Sequence, residues 1–208
     1  MNGLFFALEG IDGSGKSTQL KLLAKRLEEA GFPCLTTCEP TERPIGRLLR
    51  QVLTGQVRCD SRVVATLFAA DRLDHLLNEE NGLCRALASG VTVLCDRYYF
   101  SSYAYQSVDL PLDWVIQANQ PCADLLRPTA TIFIDVDPEL ALERIVQSRE
   151  NTELFETRDR LIRTREQYFK VFDMHRDLEK VIFIRGGRDI DTVAQDIWER
   201  VRPFFQGL

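Results

Sequence analysis

Glu9-Gly10-Ile11-Asp12-Gly13-Ser14-Gly15-Lys16-Ser17-Thr18 fits the pattern G-x-x-x-x-G-K-[ST], with Gly10, Gly15, Lys16 and Ser17 at its fixed positions. The preceding run Leu4-Phe5-Phe6-Ala7-Leu8 is short and continuously apolar, as a strand buried on both faces requires. After the motif, Leu20, Leu22, Leu23 and Leu27 recur at helical spacing up to Gly31, a suitable C-terminal stop. Strand, loop and helix therefore stand in the order that makes this pattern a phosphate cradle rather than an incidental glycine-rich turn. Glycine lets the backbone close around an anion, and the amides at the helix start point at it. Residues 10–18 read as the site for a nucleoside triphosphate. Lys16 reaches its terminal phosphates, and the Ser17 hydroxyl can hold Mg²⁺.

Outward from this motif, strand-like segments recur at 4–8, 33–37, 91–95, 130–135 and 181–185, with helical patterns between them. That alternation predicts an α/β fold of three layers, with a five-stranded parallel sheet flanked by helices. Helices are expected over Ile45–Leu53, over 61–87 as one long element ending near Ser89-Gly90, and after Asp137-Pro138. A charged helix is expected over 153–176, and a last one over 190–205 capped by Asp189 or Asp191. No repeat or linker interrupts the chain, so one domain over 1–208 is the simplest organisation. In such sheets ligands gather at the carboxyl ends of the strands.

Composition narrows the function. With 26 Lys and Arg against 31 Asp and Glu the net charge is −5, which argues against a nucleic-acid partner. No run is long and apolar enough for a membrane span, and the N-terminus carries no secretory signal. Six cysteines without a C-x-x-C pair read as reduced thiols of a cytoplasmic protein. Only His75 and His175 are present, and both are expected on the surface. A histidine zinc site or a Ser/His/Asp triad is poorly supplied, so the chemistry must run on Lys, Arg, carboxylates and a metal.

Three further groups bear on that chemistry. Asp96-Arg97-Tyr98 follows the strand-like 91–95, where a carboxylate can hold Mg²⁺ and an arginine a second phosphate; a local ion pair is the bland alternative. Glu39-Pro40, Arg43, Arg47 and Arg50 follow the second strand, while Phe68 and Arg72 stand four apart on one helix face. With Ser101, Ser102, Tyr105 and Gln106 they suit a flat base and a phosphate monoester. Taken singly, Phe68 reads as core and Arg72 as a solvated helix face. Arg144, Arg149, Arg158, Arg160, Arg163 and Arg165 form a basic stretch interspersed with glutamates. Most of these are expected to make i,i+4 pairs, leaving one or two for phosphate.

Together these residues resemble the thymidylate kinases, of the bacterial nucleoside monophosphate kinase type. The resemblance rests on Glu9–Thr18, Cys38-Glu39-Pro40, Leu67–Arg72, Asp96–Gln106 and Ile132–Arg144, in the family's order and spacing over residues 3 to about 170. It implies transfer of the ATP γ-phosphate to dTMP, with Mg²⁺, in a homodimer. It implies that Asp12 meets the 3′-hydroxyl of the acceptor sugar, that Phe68 stacks on thymine and that Arg72 donates to the base carbonyl O4. Ser102 and Gln106 fall near the base, Tyr105 against the deoxyribose, and Arg50 and Arg97 on the acceptor phosphate. Glu39 falls near the acceptor phosphate and metal. A lid near 147–160 would bring Arg149 to the transferring phosphate, with Arg144 behind it and Arg158 or Arg160 as alternatives. Some family members have arginine where this chain has Gly13, and many have Gly-Gly-Thr where it reads Thr41-Glu42-Arg43. A kinase for a deoxynucleoside, UMP or CMP, or a non-catalytic nucleotide switch, are the rival readings.

Overall fold

In the computed structural model, residues 3–148 and 157–206 are described. Five strands, β1 (Phe5–Glu9), β2 (Cys34–Cys38), β3 (Thr92–Asp96), β4 (Ala130–Asp135) and β5 (Val181–Arg185), form one parallel sheet in the order β2-β3-β1-β4-β5. Each falls within one residue of its expected position. The helices are α1 (Lys16–Glu29), α2 (Pro44–Leu53), α3 (Ser61–Leu77), α4 (Leu83–Ala88), α5 (Tyr99–Gln106), α6 (Leu112–Leu125), α7 (Pro138–Ser148), α8 (Arg158–His175) and α9 (Ile190–Val201). A 3₁₀ turn, Arg202–Phe205, follows α9.

β1 is buried along its whole length, and both of its neighbours are strands. Successive side chains on a strand point to opposite faces. Accordingly Phe5 meets Tyr98 edge-on at 5.1 Å, whereas Phe6 stacks on Phe205 at 6.0 Å. The helical layers on the two faces are thus pinned by adjacent residues of one strand. From β1 the chain moves out to β2, returns to β3 and crosses to β4. The carboxyl ends of β1 and β3 therefore flank a crevice, with Leu8 in register with Asp96.

One expectation about helices needs correction, and two helices were not anticipated. The long helix over 61–87 is broken, because α3 stops at Leu77 and α4 restarts at Leu83. Asn78 accepts from the amides of Glu80 and Asn81, and a Cβ on Gly82 would meet the Asn78 carbonyl at 2.5 Å. Arg43 fastens the break by donating to the Asp74 carbonyl at 2.5 Å and to the Asn81 carbonyl at 3.0 Å. That is the structural role of Arg43, whose side chain turns to α3. The helices α5 and α6 do not emerge as separate elements from the sequence pattern. Every residue of α5 is buried, so its sequence has no polar face to reveal the helical period. Of the two candidate caps for α9, Asp189 accepts from the Thr192 amide at 2.8 Å.

Candidate active site

The loop after β1 winds tightly at the carboxyl end of the sheet. Gly13 has φ +74°, and a Cβ there would meet the Ala141 carbonyl of α7 at 2.3 Å. An arginine at this position could not be accommodated without moving α7, so the loop is glycine by packing as well as by conformation. Lys16, at the start of α1, folds back to donate to the Ile11 carbonyl at 3.0 Å and the Ser14 hydroxyl at 3.4 Å. Burial, then the neighbouring Arg97, lowers its pKa to about 8. Ser17 donates to Asp96 Oδ2 at 2.6 Å, bringing a hydroxyl and a carboxylate together beside the loop.

Arg97 is the only non-glycine residue with positive φ among the described residues, at 73°. Its amide still bonds the Leu8 carbonyl at 2.9 Å, so the left-handed step comes as the chain leaves β3 for α5. Its guanidinium lies over the loop, 2.5 Å from Asp12 Oδ1, 3.3 Å from the Gly10 carbonyl and 3.1 Å from Ser101. Tyr105 completes the group by donating to Asp12 Oδ2 at 2.8 Å. Burial pushes the Asp12 carboxyl up, but Arg97 and Lys16 overrule it and leave the pKa lowered. Glu9, one turn of chain earlier, goes the other way. Burial raises its pKa despite bonds from Ser101, Tyr168 and the Tyr98 amide.

Arg72 is not on a solvated face: it is 1% exposed. Its Nε donates to Glu39 Oε2 at 2.7 Å, and its Nη1 donates to Ser102 at 3.1 Å and to Asn119. His75, expected on the surface, is 3% exposed and takes the other Glu39 oxygen at 3.0 Å. Thr37 lies 2.8 Å from its second nitrogen. A histidine one turn beyond Arg72 follows the carboxylate inward, and only the fold reveals that Glu39 is there. Glu39, His75 and Cys95 lie together, yet each already has a partner, with the Cys95 thiol bonded to the Arg97 carbonyl at 3.0 Å. His175 is also packed rather than free, stacked on Tyr103 at 5.6 Å.

Two adjoining cavities result. The larger, about 580 Å³, is floored by the loop residues Asp12, Gly13 and Gly15–Thr18 and walled by Glu39, Arg50, Asp96 and Arg144. The smaller, about 70 Å³, is lined by Leu53, Phe68, Arg72, Ser102, Tyr105 and Gln106. They share Asp12, Glu39, Pro40, Leu53 and Arg97. Phe68 packs on the Leu49–Val52–Val64 cluster and also lines the small cavity. Gln106 Oε1 is buried with no hydrogen-bond partner among the described residues. A third cavity, about 240 Å³, continues from Ser14 and Thr18 past Arg144 to Gly186, Arg188 and Ile190. The turn after β5 was no part of the sequence-derived site, since Gly186-Gly187 carries no chemistry of its own.

The basic stretch divides. Arg144 donates to the Gly13 carbonyl at 3.3 Å and faces both the large and the third cavity. Arg158 pairs with Glu139 of α7, Arg160 with Asp109 in the turn before α6 and Arg165 with Asp135 of β4, none of them at i,i+4. Arg149 and most of the segment 147–160 lie outside the described residues. Arg50 donates to the Pro40 carbonyl at 2.6 Å and pairs with Glu42 at 3.0 Å at the rim of the large cavity.

The family model described as Thymidylate kinase matches residues 8–197. The chain belongs to the thymidylate kinase family. It is 37% identical over 214 residues to a "probable thymidylate kinase" of Pyrococcus horikoshii, covering all of both chains. It is 36% identical over 200 residues to a thymidylate kinase of Geobacillus sp., covering 93% of each. It is 35% identical over 196 residues to one of Leptospira borgpetersenii, covering 94% of this chain and 92% of that one. The parallel sheet and phosphate loop are those of a P-loop kinase, and ATP is the co-substrate of the family. Among the described residues, no helix is long and apolar enough to cross a membrane.

Proposed function

We propose that this chain transfers the γ-phosphate of ATP to dTMP, giving ADP and dTDP on the way to dTTP. The observation that carries this reading is the wall shared by the two cavities, with Arg97 and Asp12 at its centre. An anion cradle on one side and a base-sized slot on the other suit a donor polyphosphate and an acceptor that already bears phosphate.

Residues Gly10–Thr18 would hold the donor phosphates, with Lys16 turning from the Ile11 carbonyl onto them. The donor's base has room in the third cavity beside Arg144 and Gly187. Ser17 and Asp96 offer hard oxygen ligands 2.6 Å apart, a donor set that fits Mg²⁺. The ion, when bound there, would neutralise charge on the donor phosphates. Arg97 and Arg50 would grip the acceptor phosphate, with Glu39 and Pro40 beneath it. Phe68 would stack on thymine, Arg72 would donate to O4, and the unpartnered Gln106 Oε1 would accept from the base N3–H. Asp12 would meet the 3′-hydroxyl, and Tyr105 would pack against the deoxyribose and disfavour a 2′-hydroxyl.

In the reaction, a phosphate oxygen of dTMP attacks the γ-phosphorus as the bond to the β–γ bridging oxygen breaks. The nucleophile is already ionised near neutral pH, so no strong general base is required. Catalysis is then alignment and charge neutralisation by Lys16, Arg97 and a lid arginine, Arg149 or Arg144. Residues 1–208 act as one kinase domain with its lid near 147–160. The protein works in the cytoplasm as a homodimer, its partner covering exposed apolar side chains such as Val63, Leu77, Trp114 and Leu125 on α3 and α6.

A coupled assay across thymidine, dTMP, dUMP, UMP and dCMP tests the reading. Transfer to dTMP should lead, with dUMP behind it by about 10- to 200-fold, the worth of one buried methyl. Equal use of thymidine or dCMP would overturn it. No observation favours the rival acceptors or a non-catalytic switch.

A further inference from the structure

Asn119 lies on α6, 47 residues beyond Arg72, and no part of its side chain reaches either cavity. It is 0% exposed, an uncommon position for an amide unless every polar atom is satisfied. Its Nδ2 donates to the Val115 carbonyl at 2.9 Å, one helical turn back. That bond sets the amide's orientation and leaves Oδ1 facing Arg72 Nη1.

A guanidinium carries five N–H donors in a rigid plane. In Arg72 the Nε–H goes to Glu39 Oε2, and the two Nη1 hydrogens go to Ser102 Oγ and Asn119 Oδ1. Glu39 is itself held by His75, and His75 by Thr37. Three donors are therefore committed from three directions, and the plane cannot rotate. Nη2 is the nitrogen left without a bond among the described residues, and Arg72 lines the small cavity.

We infer that Asn119 is a positioning residue for base selection: it locks Arg72 so that Nη2 alone meets the acceptor base. The inference rests on the dTMP kinase reading above and deepens it. An arginine offers donors and no acceptor, so a locked Nη2 welcomes a ring carbonyl and opposes an exocyclic amino group. Thymine and uracil carry a carbonyl at that edge, and cytosine an amine. Without Asn119 the guanidinium could tilt, Nη1 would gain a free hydrogen, and the distinction would weaken. Ser102 alone does not prevent this, because a hydroxyl can rotate with the donor whereas an amide bonded to a helix carbonyl cannot.

The test compares kcat/KM for dTMP and dCMP in the full-length wild type, Asn119→Leu and Asn119→Asp. In Asn119→Leu the dTMP:dCMP ratio should fall by about tenfold or more, through a higher KM for dTMP, as befits a lost bond to a charged group. The KM for ATP should stay within about twofold, a split that a merely structural defect would not produce. Asn119→Asp keeps an oxygen facing Nη1 and should restore the ratio to within about threefold of wild type. An unchanged ratio in folded Asn119→Leu, or an equal rise in the KM of ATP, would overturn the inference. Should the leucine variant fail to fold, Asn119→Ser, too short to reach Arg72, carries the same expectation and the same refutation. If wild type itself shows no preference for dTMP over dCMP, the functional reading fails instead.

Discussion

The donor and acceptor cavities are built by opposite means. The donor cradle is floored by one short stretch, within Glu9 to Thr18 and shaped by backbone conformation, and its cavity of about 580 Å³ is completed by walls from Glu39, Arg50, Asp96 and Arg144. The acceptor slot, about 70 Å³, draws on α2, α3 and α5 and is braced from β2 and α6. Its central cation, Arg72, is buried and partnered before any ligand arrives, whereas Lys16 rests provisionally on loop oxygens of its own motif. A phosphate needs charge and amides that many sequences can offer locally. A particular base needs a donor fixed in direction, which takes support from distant parts of the chain.

Arg97, which belongs to both cavities, offers the largest test of this contrast. Arg97→Ala should cut kcat by about 10³-fold or more while ATP affinity stays within about threefold. If ATP affinity collapsed and turnover at saturation survived, the two cavities would not be separate sites. Arg72→Met sharpens the acceptor side. It strands Glu39 and Asn119 and should lower stability by about 3–5 kcal/mol in denaturant unfolding, with the KM for dTMP raised. A variant as stable as wild type would mean that the Glu39–Arg72 pair is not fastened as described. Phe68→Ala should raise the KM for dTMP about tenfold and that of ATP less than about twofold, since of the two cavities it lines only the small one. Equal effects would mean that Phe68 acts only through its packing on the Leu49–Val52–Val64 cluster.

The smallest expected effect concerns the donor side and pH. With its pKa lowered to about 8, Lys16 of the free enzyme loses its charge as pH rises through that value. The kcat/KM for ATP should then decline by less than about tenfold between pH 8 and 9. Lys16→Arg, which stays charged, should lack that limb even if slower. Because the folded pKa lies below the ordinary 10.5, holding the charge costs stability below about 8, and the cost is relieved between 8 and 10.5. A limb that persists in Lys16→Arg would assign it to another group.

The strands were legible because β1, β3 and β4 are short, mostly apolar runs and β2 and β5 are short β-branched stretches between helical patterns, and the motif at 9–18 needed only its neighbours to be read. The break at Asn78–Gly82 was not, since α3 and α4 share one apolar pattern and the interruption depends on Arg43 reaching across from α2. α5 escaped notice because burial on all sides erases periodicity. His75 and Arg72 looked like surface residues, because nothing local shows that Glu39, just past the end of β2, bonds to both of them.

By itself the amino-acid sequence determined the parallel sheet, the anion cradle and the kinase-like order of motifs, because these depend on patterns within a few residues of one another. Tertiary structure alone decided which arginine is locked, which histidine is buried and where two cavities share a wall. Those properties require a charge to meet partners 30 to 93 residues away, and only packing brings them within bonding distance.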